Sequence, residues 1–144
     1  MLFGGPIDWR TTKQKTVTTS TTEAELLALS HTTKDYYWWT RLFADIGLDL
    51  EDARDTPILC DNKQTVSILQ REQPTFKTQL KHVDILNHWL RQELQANHIH
   101  IQWVPTTQMP ADGFTKPLPR QRHQEFVRFL NLTNIHSLIE KPDP

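Results

Sequence analysis

The stretch Pro57-Ile58-Leu59-Cys60-Asp61-Asn62 decides how the rest of the chain is read. It is a short apolar run opened by proline, and it fits a buried strand whose C-terminal end presents a carboxylate. Upstream, beyond a loop-like acidic stretch from Asp49 to Asp55, the pattern changes to helical. Trp39, Leu42, Phe43 and Ile46 fall at i, i+3, i+4 and i+7, and Gly47 is a natural stop. The start is marked by Ser20, three residues before Glu23, which is the capping-box spacing, so a helix is expected from about Thr21 to Ile46. Before it, Ile7, Trp9, Val17 and a series of threonines suit a pleated, half-buried surface, read as a strand pair with Gly4-Gly5-Pro6 as its turn.

Downstream of Asp61, residues 63 to 71 read as a short helix and residues 74 to 78 as a linker carrying Lys77. A second long helix follows, with Val83, Leu86, Leu90 and Leu94 on one face, Ile85 and Trp89 widening it, and Asn97 ending it. From His98 to Val104 apolar and polar residues alternate, and Pro105 closes the strand. Thr106 to Met109 is a polar loop and Pro110 to Lys116 a turn or short helix. Gln121 to Leu132 is an amphipathic helix with Phe126, Phe129 and Leu130 inward, and the end of the chain frays from Glu140. Strands followed by alternating helices and strands specify a mixed α/β sheet covered by helices.

The chain has 144 residues, the size of one ordinary domain. Its 37% hydrophobic and 23% charged residues, with 16 Lys plus Arg against 17 Asp plus Glu, argue against a disordered polyelectrolyte and against a strongly basic nucleic-acid coat. Any nucleic-acid contact is therefore local. No apolar run reaches the roughly 20 residues of a membrane span, and no signal-peptide pattern opens the chain, so an intracellular setting, cytoplasm or nucleus, is expected. A single Cys excludes an intrachain disulfide and a thiolate-rich zinc site, leaving carboxylates and His as metal ligands.

Three acids stand out by position: Glu25 near a helix start, Asp61 past the buried strand, and Asp112 after the loop that follows the last strand. Strand ends and helix starts converge on one edge of such a sheet, and converging acids suit a hard divalent cation. Spacing leaves open the plainer reading that all three are caps or solvated loop acids.

The segments Ser20-Thr21-Thr22-Glu23-Ala24-Glu25-Leu26-Leu27-Ala28-Leu29, Leu59-Cys60-Asp61-Asn62, Lys81-His82-Val83-Asp84-Ile85 and Val104-Pro105, leading to Ala111-Asp112-Gly113-Phe114-Thr115-Lys116-Pro117-Leu118, occur in this order. Together they resemble the ribonuclease H region that ends the polyprotein of Copia-type long-terminal-repeat retrotransposons, over roughly residues 2 to 130. The resemblance implies an RNase H-like mixed sheet flanked by helices, in a domain over residues 1–132 with a tail over 133–144. It further implies hydrolysis of the RNA strand of an RNA–DNA hybrid with two Mg2+ or Mn2+ ions. Carried over by position, Glu25 corresponds to the helix carboxylate, Asp61 to the acid bridging the metals and Asp112 to the last acid, all three as catalytic and metal ligands. Glu23 keeps the cap.

In the family, a first strand bearing a further Asp and most of a second strand precede the segment matched by Leu2-Phe3-Gly4-Gly5. Both are expected to be missing here, and Asp8 is a poor substitute. The expectation is weakened magnesium binding, impaired cleavage, and a sheet repaired by a partner strand or by homodimerisation. The alternative is a non-catalytic relic or a domesticated nucleic-acid- or protein-binding module. Lys77, Lys81, His82 and Lys116 are candidate nucleic-acid contacts, with Arg120, Arg122 and Arg128 adding local charge or simply forming a solvated face. His98 and His100 share a strand face expected to be solvent-exposed, Trp39 is expected in the core with one or two of its aromatic neighbours outside, and Cys60 reads as a small core residue.

Overall fold

The computed structural model describes residues 5–12, 17–18, 20–48, 57–71 and 81–135. The chain divides into two compact units, residues 14–109 and residues 1–13 with 110–144. The larger unit holds α1 (Thr21–Asp45), β1 (Ile58–Cys60), α2 (Lys63–Gln70), α3 (Lys81–Gln95), β2 (Ile101–Trp103) and a 3-10 turn at Thr106–Gln108. The smaller unit holds α4 (Asp112–Thr115) and α5 (Arg120–Phe129). No helix among the described residues is long and apolar enough to cross a membrane.

β1 and β2 pair in parallel, Ile58 opposite Ile101, Leu59 opposite Gln102 and Cys60 opposite Trp103. Parallel neighbours need a long crossover, and α2 and α3 lie in this one. The ladder is extended at both ends, by Ile58 N–H donating to His100 O at 2.7 Å and Val104 N–H to Cys60 O at 3.0 Å. The strand expected from His98 begins only at Ile101, the end of the preceding helix having taken up the Asn97 and His98 amides. Asn97 N–H donates to Leu94 O and His98 N–H to Glu93 O, with Asn97 at φ +54°, the left-handed closure of a helix end. Ile99 and Ile101 are buried while His98 and His100 face solvent.

The strand pair expected over residues 1 to 19 is not present in its described part: Gly5 forms an isolated bridge, and residues 6–12 and 17–18 belong to no strand. The remaining residues of that stretch, with its Gly4 turn position, lie outside the described residues. The β-branched pattern lacks the burial a strand pair needs, since Trp9 is 63% and Val17 86% exposed.

α1 starts as its sequence dictates, with Ser20 extended and its Oγ accepting Glu23 N–H at 3.2 Å. It ends at the turn around Gly47, whose φ of +74° lets Leu48 N–H reach Phe43 O. Leu26, Leu27 and Leu29 enter the core beside Ile58, Cys60, Val66, Leu69, Val83, Leu90, Ile99 and Ile101. Hydroxyls buried with them are satisfied within the helix, Ser30 Oγ on Leu27 O at 2.8 Å and Thr33 Oγ1 on Leu29 O at 2.9 Å. Tyr36 and Tyr37 pack against this core; Trp39 is only half-buried, stacked on buried Phe43 at 5.6 Å, and Trp38 is exposed.

Two expected inward residues point outward. Ile85 is 68% exposed, because the inner face of α3 is completed by Asn87 and Arg91 rather than by a wider apolar stripe. Phe129 is 47% exposed: Phe126 and Leu130, four residues apart, share a face from which Phe129 is rotated by roughly 80° at 3.6 residues per turn.

Arg91 joins α3 to the end of α2. Its buried guanidinium donates to Ile68 O at 3.0 Å and to Arg71 O, so carbonyls that a helix end leaves unpaired are satisfied by a cation. Replacing it with methionine keeps much of the volume but strands those carbonyls. Arg91→Met is expected to lower unfolding free energy by about 2 kcal/mol in urea titrations.

Tyr37 ties α1 to the end of α3 by donating its hydroxyl to Glu93 Oε2, which also lies 3.0 Å from His98 Nδ1. The Tyr37 hydrogen bond, reinforced by His98 and opposed by partial burial, holds the Glu93 carboxyl below its ordinary range. Burial first, then the Glu93 carboxylate, raises the Tyr37 phenol above its ordinary value near 10. The depressed carboxyl contributes stability above the unfolded-state carboxylate pKa and loses it as pH falls through the folded value. The raised phenol contributes below its unfolded pKa and loses its contribution as pH rises through the folded value. Denaturation midpoints followed against pH should show both flanks, and Tyr37→Phe should flatten the two together.

Candidate active site

Asp61 follows β1 directly, and the register that sets Cys60 opposite Trp103 brings the residues after both strands to the same end of the pair. The Asp61 backbone carbonyl accepts the Trp103 indole N–H at 3.1 Å, and its carboxylate Oδ2 accepts the Thr106 hydroxyl at 3.2 Å. Asn62 is occupied structurally: its Oδ1 accepts Thr65 N–H at 3.1 Å as the cap of α2. The carboxyl end of a parallel strand pair, beside a helix start, is where α/β folds place ligands.

Glu25 lies in the second turn of α1, half-buried next to fully buried Leu26. Cys60 reports on both acids. Burial pushes its thiol pKa up, the hydrogen bond to Asn62 O at 3.8 Å offsets part of this, and the charges of Glu25 and Asp61 both push it further up. Their oxygens are the donors a magnesium ion prefers, one or two carboxylates with water and substrate phosphate completing its shell. Among the described residues no three His, Cys, Asp or Glu side chains gather to hold a metal by themselves.

Asp112 belongs to the smaller unit, at the start of α4. Its Oδ1 is 2.7 Å from Lys116 Nζ, an ion pair one helical turn apart. The surrounding motif is packed on aromatic rings: Phe114 stacks on Trp9 at 6.4 Å and meets Phe126 edge-on at 5.0 Å. Gly113 is demanded by that packing, since a Cβ there would stand 2.3 Å from the Phe126 ring. Lys116 thus serves Asp112, in addition to its expected availability for phosphate. Lys81 and His82 are exposed on the first turn of α3, and Lys77 lies outside the described residues.

Sequence reasoning missed Thr106, Trp103 and Lys63. Lys63 Nζ sits 4.7 Å from the centre of the Trp103 ring, and the two border an open groove of about 430 Å3 along α2. The signal for Thr106 was present, three residues past a strand that pairs with the one ending at Asp61, but it becomes readable only once the pairing is known to be parallel.

The chain is 30% identical over 134 residues to the retrovirus-related Pol polyprotein from transposon TNT 1-94 of Nicotiana tabacum, covering 93% of this chain and 10% of that protein. It is 32% identical over 130 residues to the retrovirus-related Pol polyprotein from transposon RE1 of Arabidopsis thaliana, covering 90% and 9%. Against the transposon Ty1-JR2 Gag-Pol polyprotein of Saccharomyces cerevisiae it is 31% identical over 124 residues, covering 83% and 7%. No family model and no solved structure matches the chain. The chain spans a tenth or less of the length of these relatives, and it is a homologue of one segment of the Pol polyproteins of retrotransposons.

Proposed function

We propose that this chain is a transposon-derived RNase H-like domain whose reaction is metal-dependent hydrolysis of the RNA strand of RNA–DNA hybrids. The observation that carries the reading is the position of Asp61 at the carboxyl end of the parallel β1–β2 pair, with Glu25 near the start of α1, the helix packed on β1, in a chain homologous to a segment of retrotransposon Pol polyproteins. Glu25 and Asp61 would hold Mg2+ or Mn2+, which when bound polarises a phosphate and lowers the pKa of an attacking water. Thr106 fixes one Asp61 oxygen and so orients the carboxylate. Asp112 is the further acid that the resemblance offers; it belongs to the other unit, where its Oδ1 pairs with Lys116.

On this reading cleavage by this chain is slow, since among the described residues no three acids gather to hold a metal. A second reading is a nucleic-acid-binding module without turnover, for which Lys81 and His82 stand exposed on the first turn of α3. A cleavage assay on a labelled hybrid with magnesium or manganese separates the two. Weak metal-dependent cutting of the RNA strand is expected. Asp61→Asn and Glu25→Gln should each reduce it by on the order of 100-fold, the scale on which lost charge stabilisation acts. Hybrid binding without cleavage in either metal would sink the enzymatic reading in favour of the binding module.

A further inference from the structure

The groove along α2 takes no part in the hydrolysis just proposed. It is a shallow groove of about 430 Å3, open to solvent along the helix. It is walled by the outer side of α2 and by the Trp103 indole, and its two ionisable lining residues, Lys63 at the start of the helix and Arg71 just past its end, are both cations. Eight residues of helical rise separate them, about 12 Å. Ser67 and Gln70 lie exposed between them, over buried Val66.

Trp103 is 38% exposed although its one polar atom is already committed, the indole N–H donating to Asp61 O. That bond pins the ring, so what the groove offers a ligand is an oriented aromatic surface with ammonium and guanidinium groups beside it. Lys63 Nζ rests over the ring, a contact readily exchanged for a stronger charge-assisted bond to a phosphate. A purely apolar ligand leaves both charges unanswered. An acidic peptide answers the charges but brings no flat ring to the indole. A nucleotide supplies both, and only an unpaired base has a face to stack.

We propose that this groove binds single-stranded nucleic acid, with phosphates at Lys63 and Arg71 and a base stacked on Trp103. The proposal rests on the nucleic-acid reading of the chain, with the groove adjoining Asp61, but the binding itself needs no metal. It assigns the groove to the unpaired strand flanking a hybrid.

The test is fluorescence anisotropy of a labelled thymidine oligonucleotide titrated with the full chain in EDTA, at salt from roughly 50 to 200 mM. Trp103→Ala is expected to weaken binding about tenfold, within the range for loss of one base stack, while Trp103→Phe retains most of it. Lys63→Gln and Arg71→Gln should each lower the salt slope by about 0.7, the single-strand value per phosphate contact. Thermal unfolding of each variant identifies any loss that is only misfolding, and the glutamine variants then decide the matter. Binding by Trp103→Ala within twofold of the parent, unchanged salt slopes in both glutamine variants, or equal competition by polyglutamate would overturn the proposal. Asp61→Asn separates it from the catalytic reading. Trp103-dependent binding without cleavage by the parent chain leaves this site standing and removes the enzyme, whereas Asp61-dependent cleavage with Trp103-independent binding does the reverse.

Discussion

The parallel register of β1 on β2 is the constraint from which the larger unit follows. It spans three residue pairs, yet a slip of one residue would turn Ile58 and Cys60 out of the core and move Trp103 away from Asp61. Because the strands are parallel, their carboxyl ends lie on one side, and because Asn62 caps α2 at once, a helix start lies there too. An acid, a helix N-terminus, an anchored indole and the Thr106 hydroxyl therefore gather without any one of them having been selected by its neighbours in sequence. The crossover that parallel pairing requires is also what brings α3 into the core against α1 and α2.

Polar groups at helix ends are what make so short a sheet tenable. A helix leaves its last carbonyls unpaired, and inside a small core such groups cost about 1–3 kcal/mol each when stranded. Arg91 answers this for α2 by placing a guanidinium, with donors in a fixed fork, against Ile68 O and Arg71 O. α1, α3 and α5 solve the same problem by left-handed closures at Gly47, Asn97 and Asn131. Glu93 then carries the junction of α1 and α3, holding the Tyr37 hydroxyl and His98 on one oxygen. Its charge is part of the architecture, which is why the pKa values of Tyr37 and Glu93 move apart.

The run Ala111 to Lys116 illustrates how one motif answers to two demands. Gly113 and Phe114 are fixed by aromatic packing with Trp9 and Phe126, and Asp112 and Lys116 pair across a helical turn. Of these four residues, the resemblance to ribonuclease H offers Asp112 for metal binding and catalysis and leaves Lys116 as a candidate nucleic-acid contact. Packing explains the glycine and the phenylalanine; it does not require an acid at position 112, whose charge is answered by Lys116.

What could be read from sequence alone was local. Ser20 and Gly47 bound α1, Asn97 ends α3, the apolar run before Asp61 is β1, and Glu25, Asp61 and Asp112 stand at element edges, because caps, periodicity and stop signals act within a few residues. Three things required the tertiary structure. The β-branched residues before Ser20 pattern as strand, but a strand exists only where another chain segment takes up its hydrogen bonds, and none of the described ones finds such a partner. The inner face of α3 admits Arg91 because a neighbouring helix presents carbonyls to it, which no periodicity encodes. And Trp103 and Thr106 became neighbours of Asp61 only through parallel pairing across some forty residues of crossover, a long-range choice settled by which faces could be buried together.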